Sequence, residues 1–201
     1  MKKILAVLTI ASALLLTGCS QSNEAATIGD FKISQTELQS SIDAVMAERT
    51  KVDSSQMQLE TGEELNRGQL RFKILMHTFD EIAKELKIDV TSSQIGAKKA
   101  TILESVGGEA ELPKNLVNAA IALQDFEVYV RAIVISEQIS QALSQSGVAE
   151  AEVSAKVSEL LTAKAKTLGV KVNPRYGAWD NEAGDVVAAN VTGDAVKPSD
   201  K

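Results

Sequence analysis

Apolar residues recur at helical spacing along most of this chain, so that several segments each carry one apolar face. The first helix is predicted to start at Ser34 or Thr36, either of which can cap it, with Glu37 in its first turn. A polar connection, Thr50–Gly68, contains the start of a second helix that is clear from about Leu70 to Lys87. The apolar faces consist of Leu38, Ile42, Val45 and Met46 in the first helix and of Leu70, Ile74, Leu75, Phe79, Ile82 and Leu86 in the second.

Three further helices are predicted downstream. One opens at Thr91 or Ser92, one runs from Pro113 to about Gln145, and one runs from Ala149 to Leu168 and stops at Gly169. The segment from Pro113 is apolar on most sides, and such a helix is buried on most sides, so we expect it to be the central element. Its apolar positions are Leu116, Val117, Ile121, Leu123, Phe126, Val128, Val130, Ile133, Val134, Ile139 and Leu143.

Two short segments at the ends of this helical region are typical of β-strands. The segment Ala26–Ser34 places apolar residues around a turn at Gly29 and Asp30, which predicts a hairpin or a bent strand. Near the other end, "VKVNPRYGAWD" begins with alternating apolar and polar residues and contains β-forming aromatics. A lone strand cannot satisfy its backbone groups, so we expect the two segments to pair.

Within the closing segment, four residues are expected to have structural roles. Pro174 suits the edge of a sheet, and Gly177 suits a bend or a bulge. Tyr176 or Trp179 is expected to pack against Phe31, Ile33 or the adjoining helices. The two strand segments, one before and one after the helices in sequence, would then pair and bring the ends of the domain together.

The first residues are typical of an export signal. Lys2 and Lys3 precede an uninterrupted apolar run, Ile4–Leu16, which is short for a membrane span. The sequence "LTGCS" follows and resembles the bacterial lipobox, in which the cysteine is diacylated and the signal is removed before it. Cys19 is the only cysteine of the chain, and two acyl chains suffice for stable anchoring. The alternative is an ordinary cleavage site with a chance cysteine.

These features predict the organisation of the chain. Residues 1–18 are expected to be the signal, residues 19–26 a polar tether, residues 27–182 one domain and residues 183–201 a disordered tail. The protein would be anchored to the extracytoplasmic face of a cell membrane through a lipid on Cys19.

The charge balance excludes some partners. The chain has 21 basic and 27 acidic residues, for a formal net charge of −6. Removal of Lys2 and Lys3 with the signal would leave 19 against 27, or about −8. Such an acidic body argues against nucleic acid as a partner and against an electrostatic membrane-docking face.

The sequence contains little that indicates an enzyme. It has no cluster of residues with metal-ligand spacing, no phosphate-binding glycine loop and no nucleophile paired with a base. The single histidine, His77, is predicted to be a helix residue without a chemical role. We therefore expect no catalysis, no metal and no cofactor.

The two strand segments carry a resemblance to a known family. "ATIGDFKISQTELQSSIDAVMAER" resembles the start of the N-terminal domain of SurA-type periplasmic chaperones and PrsA-type foldases, and "GVKVNPRYGAWD" resembles their returning strand. The resemblance covers roughly residues 26–180. It implies a mainly α, SurA-N-like (trigger-factor/SurA peptide-binding-like) domain with a small β element that pairs the terminal strands.

One departure from that family changes the expected activity. Such foldases often carry a parvulin-like prolyl isomerase domain before the last helix. Here the corresponding gap is only "SQSGVAE", residues 144–150, so we expect no isomerase activity.

Three function classes remain open. The first is a chaperone-like holdase that binds unfolded or exported polypeptides. The second is a scaffold or partner subunit that binds one specific envelope protein. The third, a solute-binding lipoprotein of a transporter, is disfavoured because such proteins usually need two α/β lobes.

A holdase requires an exposed apolar groove with adaptable side chains. Five residues are candidates for lining it: Met57, Leu59, Met46, Met76 and Phe79. Met57 and Leu59 are favoured because they lie in the polar connection, whereas Met46 and Phe79 also suit an ordinary core.

Overall fold

A computed structural model describes residues 23–189. The expected signal, Cys19 and residues 190–201 lie outside the described residues. Within them the chain is mainly helical, with small antiparallel sheets.

The two ends of the domain meet in a three-stranded antiparallel sheet. β1 (Glu24–Ile28) and β2 (Phe31–Ser34) form a hairpin, and β3 (Val170–Val172) pairs with the other side of β1. The ladder continues past β3, because the Asn173 N–H donates to the Ala25 carbonyl oxygen at 2.9 Å. The predicted pairing of the terminal segments is thus confirmed.

The expected tether is wrong in its last three residues. β1 already begins at Glu24, and both Ala25 and Ala26 are buried. Residues 24–26 are part of the sheet because their backbone groups pair, and the methyl groups of Ala25 and Ala26 are buried in the core.

The helices begin and end largely where local chemistry predicts. Ser34 caps the first helix by accepting from the Glu37 N–H at 3.0 Å, and Thr91 forms a capping box with Gln94. Gly169 ends the last helix in the left-handed conformation. The helices are α1 (Gln35–Arg49), α2 (Gly62–Leu86), α3 (Ser92–Val106), α4 (Leu112–Asn118), α5 (Phe126–Gln145) and α6 (Glu150–Leu168), with a 3₁₀ helix (Leu123–Asp125) before α5.

The single helix predicted from Pro113 to Gln145 is wrong. The chain breaks after α4, where Ala120 adopts a positive φ of 52°. The Ala120 N–H donates to the Val117 oxygen and the Ile121 N–H to the Leu116 oxygen, which is a Schellman ending without the usual glycine.

α2 is the element that connects the separate parts of the core. It contributes buried residues to a cluster with the sheet and α1 and to a cluster with α5 and α6. Its Phe72 packs against a third cluster formed by α3, α4 and α5. α2 therefore links all three clusters, a role expected for the helix after Pro113.

The closing segment divides into two parts. After β3, a turn leads to a second hairpin of β4 (Ala178–Asp180) and β5 (Asp185–Val187). Val186 is buried in the cluster beneath the first sheet. The tail expected from residue 183 is therefore wrong at its start, because this strand has a buried side chain and a paired backbone.

Some side chains predicted to face inward are exposed instead. Leu86 at the end of α2, Leu123 in the 3₁₀ helix and Val128 at the start of α5 each expose 43% or more of their surface. Leu123 and Val128 are exposed because the break after α4 reorients this part of the chain.

Candidate functional site

A groove of about 510 Å³ opens on the face of α2 between the α4–α5 connection and the loop that precedes α2. Its apolar lining comes mostly from half-buried side chains, together with the buried Ile121. The apolar lining residues are Leu59, Phe72, Leu75, Met76, Phe79, Ile121 and Tyr129. Arg49, Glu60 and Arg71 add charges to this surface.

The groove brings together three of the five predicted client-binding residues. Leu59, Met76 and Phe79 line it directly. Met46 lies next to it, since its sulfur is 3.6 Å from Nη1 of Arg49, and it is 48% exposed. Met57 is half-buried in the preceding loop, where its N–H donates to the Ser54 oxygen at 3.0 Å, and it does not line this groove.

Most of the lining residues were not singled out from the sequence, among them Phe72, Tyr129 and Arg49. Phe72 and Tyr129 look like ordinary core positions, and Arg49 looks like a basic residue that suits the last turn of a helix. A signal was present for Phe72 alone, because it lies four residues from Met76 and therefore on the same helix face.

Arg49 has an unusual environment for a cation. Its Nη1 donates to the Glu60 carbonyl oxygen at 2.7 Å, while Nε and Nη2 are buried and have no hydrogen-bond partner. Burial lowers the pKa of the Arg49 guanidinium from its ordinary value, and the nearby Glu60 carboxylate opposes that shift. The charge is therefore only partly compensated by the protein.

The opposite wall of the groove is held by a long-range hydrogen bond. Gln69, buried in α2, donates its side-chain N–H to the Ala120 carbonyl oxygen at 2.5 Å. This bond fixes the strained turn after α4 against α2. The groove thus depends on a contact between residues that are distant in sequence.

We expect Gln69→Met to destabilise the protein by about 1–3 kcal/mol, because it leaves the Ala120 carbonyl without its side-chain donor at nearly unchanged volume. Chemical denaturation measures the effect. Thr78→Val is the matched control, since the buried Thr78 hydroxyl donates to a carbonyl within its own helix. Equal losses of unfolding free energy for the two variants would show that the Gln69 bond to Ala120 stabilises the fold no more than a bond within one helix does.

A second cavity of about 280 Å³ lies beside the groove and shares Phe72 and Met76 with it. Here the Phe31 ring stacks on His77 with 4.0 Å between ring centroids. Burial lowers the pKa of the His77 imidazole from its ordinary value. Phe31 therefore contacts α2 rather than the aromatics of the closing segment.

The four residues expected to be structural lie in and after the turn that follows β3. Pro174 is in the turn itself, not within the strand. The Tyr176 hydroxyl and the Gln35 side-chain oxygen are 3.5 Å apart, and Tyr176 and Trp179 both pack against the cluster that contains Ile33. Gly177 is buried with a φ of 131°, which agrees with the predicted bend.

A metal centre and a membrane-spanning helix are two other features that a chain of this kind can carry. Among residues 23–189, no group of three or more His, Cys, Asp or Glu side chains could hold a metal ion. None of the helices in the same range combines the length and the apolar character that a membrane crossing requires.

In comparisons with known proteins, this chain matches no family model, no curated protein and no solved structure. The resemblance to SurA-type and PrsA-type proteins therefore depends on the sequence segments alone.

Proposed function

We propose that this protein is an extracytoplasmic lipoprotein that binds exported polypeptides as a holdase, without isomerase catalysis. The observation that carries the proposal is the groove on α2. It exposes flexible and aromatic side chains, among them Met76 and Phe79, along an open surface. Such side chains can repack around different apolar sequences.

The size of the groove suits a short stretch of polypeptide. Its volume of about 510 Å³ falls within the roughly 300–1,000 Å³ of typical ligand sites. Because the groove opens to solvent, a segment of an unfolded client can reach its apolar lining.

The proposed fold is the SurA-N-like domain named by the resemblance. Two features support it: the strands at both ends pair around the helices, and a Ser-capped helix follows the first hairpin. The absence of isomerase catalysis is supported by the connection between α5 and α6, which spans only residues 146–149.

A second candidate is a subunit that binds one folded envelope protein. The observation that favours it is the exposure of Phe31 and Val128, which line the second cavity together. Contiguous exposed apolar surface marks interaction sites, and these two side chains line the same cavity.

We expect Met76→Glu to abolish most of the suppression of aggregation, because a carboxylate in the groove is unfavourable next to an apolar client. Light scattering of an unfolded test protein, diluted into buffer with each variant, measures this. Leu86→Glu is the matched control, since Leu86 is on the same helix, is 51% exposed and does not line the groove. Equal suppression of aggregation by both variants would show that clients do not bind in the groove.

A client screen separates the two candidates. A holdase binds many unrelated unfolded chains weakly, whereas a dedicated subunit binds one folded partner tightly. Tight binding of a single folded protein, lost on Phe31→Ser and unaffected by Leu59→Glu, would favour the second candidate, because Leu59 lines the groove and not the second cavity.

The proposed anchor is tested separately. We expect Cys19→Ser to leave the protein uncleaved or released, because no thiol remains for acylation. Membrane fractionation and labelling with a radioactive fatty acid measure the change, with Ser20→Ala as the control. A Cys19→Ser protein that loses its signal and still partitions to the membrane would contradict the lipid anchor.

A further inference from the structure

The charge of Arg49 distinguishes the groove from a purely apolar surface. Arg49 is the last residue of α1, and its guanidinium lies where the groove meets the loop before α2. Only Nη1 has a hydrogen-bond acceptor from the main chain, the Glu60 carbonyl oxygen. A neutral carbonyl satisfies a donor but does not neutralise the cation.

The nearest carboxylate does not complete the pairing. Glu60 forms no ion pair with Arg49 among residues 23–189. Its carboxylate lies against α2 instead, since a Cβ added to Gly68 would be 2.5 Å from its Oε2. Two buried donors of a cation thus remain without an acceptor in the described chain, an arrangement that is costly unless a partner supplies one.

We propose that Arg49 binds a carboxylate of the bound polypeptide, so that the groove prefers apolar segments that carry an acidic group. This inference rests on the proposed function and specifies its substrate class. The carboxylate comes either from an Asp or Glu side chain or from the C-terminus of the client. Planar guanidinium groups bind carboxylates through two parallel hydrogen bonds, and Nε with Nη2 is one of the pairs that can do so.

Access to these nitrogens requires a local movement. Both atoms are closed to solvent in this conformation. The proposal therefore requires that the Arg49 side chain turns, or that the loop at residues 51–61 shifts, when the client binds. The loop contains no helix or strand, and one of its few internal backbone bonds joins Met57 to Ser54. The movement therefore disrupts little regular structure.

Binding of synthetic peptides to the purified domain tests the proposal by fluorescence anisotropy. One apolar peptide carries a central Glu and its twin carries Gln, and each is made with a C-terminal acid and with an amide. We expect the Glu peptide to bind about tenfold or more tightly than the Gln amide, as a charge-assisted hydrogen bond implies. If instead the Gln peptide binds more tightly as the C-terminal acid than as the amide, the C-terminus of the client supplies the carboxylate. This result also supports the proposal.

Variants assign the preference to Arg49. Arg49→Met should remove it, whereas Arg67→Met should retain it, because Arg67 pairs with Glu63 outside the groove. If Arg49→Met does not fold, the comparison of the four peptides on the natural protein still shows whether binding prefers a carboxylate. Equal binding of all four peptides overturns the inference and leaves the holdase proposal intact. A preference for the carboxylate that survives Arg49→Met has the same two consequences. Failure of every peptide to bind overturns both.

Discussion

Removal of the chain after Gly169 is expected to unfold most of the domain. It deletes β3, which pairs with one side of β1, and the β4–β5 hairpin, which buries Val186 against the same core. Val170 and the packed Trp179 ring are lost as well. The lost apolar burial is on the order of 5 kcal/mol or more, comparable with the roughly 5–15 kcal/mol by which a domain is stable.

Thermal unfolding followed by circular dichroism measures the effect. The matched control is a truncation after Asn190, which keeps every described strand and should melt near the temperature of the intact chain. Trp179→Ala gives an intermediate case, because it removes the ring and leaves both hairpin strands. If the Gly169 truncation melted like the intact chain, the pairing of the terminal strands would not stabilise the domain.

The helix ends could be predicted because their causes are local. Ser34 and Thr91 bond to backbone N–H groups three residues away, and Gly169 accepts a positive φ at low cost. The strand pairing also followed from a general requirement, since each terminal segment needed a partner for its backbone groups.

The break after α4 could not be predicted for a physical reason. It contains neither glycine nor proline, and the strained residue is an alanine. What fixes the turn is Gln69, whose side chain bonds to Ala120 from 51 positions away. β5 was missed for a similar reason. It has only three residues, one of them buried, and so short a segment forms a strand only when the folded core is there to bury that side chain.

The groove was predicted in part. Met76 and Phe79 follow from the helical spacing of α2, and Leu59 from its place in a polar loop. Arg49 could not be recognised, because its two unpaired nitrogens result from how the end of α1 meets the loop at residues 51–61. Charge compensation is a property of the packed structure, and sequence spacing does not show it.

Gly177→Ala is expected to have the largest effect of any single substitution considered. A Cβ at this position would lie 2.2 Å from the Val187 carbonyl oxygen, and the backbone φ is 131°. That oxygen belongs to the main chain of β5, so relief of the clash requires β4 and β5 to separate. We expect a loss of about 3 kcal/mol or more from strain and disrupted pairing together.

The matched control is Gly147→Ala. Gly147 also has a positive φ, 93°, yet no atom within 4 Å would meet its Cβ. Its substitution therefore measures backbone strain alone, about 1–2 kcal/mol. Urea denaturation of both variants gives the difference that is due to the contact with Val187, and Trp179, next to Ala178, reports on the hairpin by its fluorescence. Equal losses for the two variants would mean that β4 and β5 adjust to the added methyl group, and the hairpin would then contribute less to the stability than its buried Val186 implies.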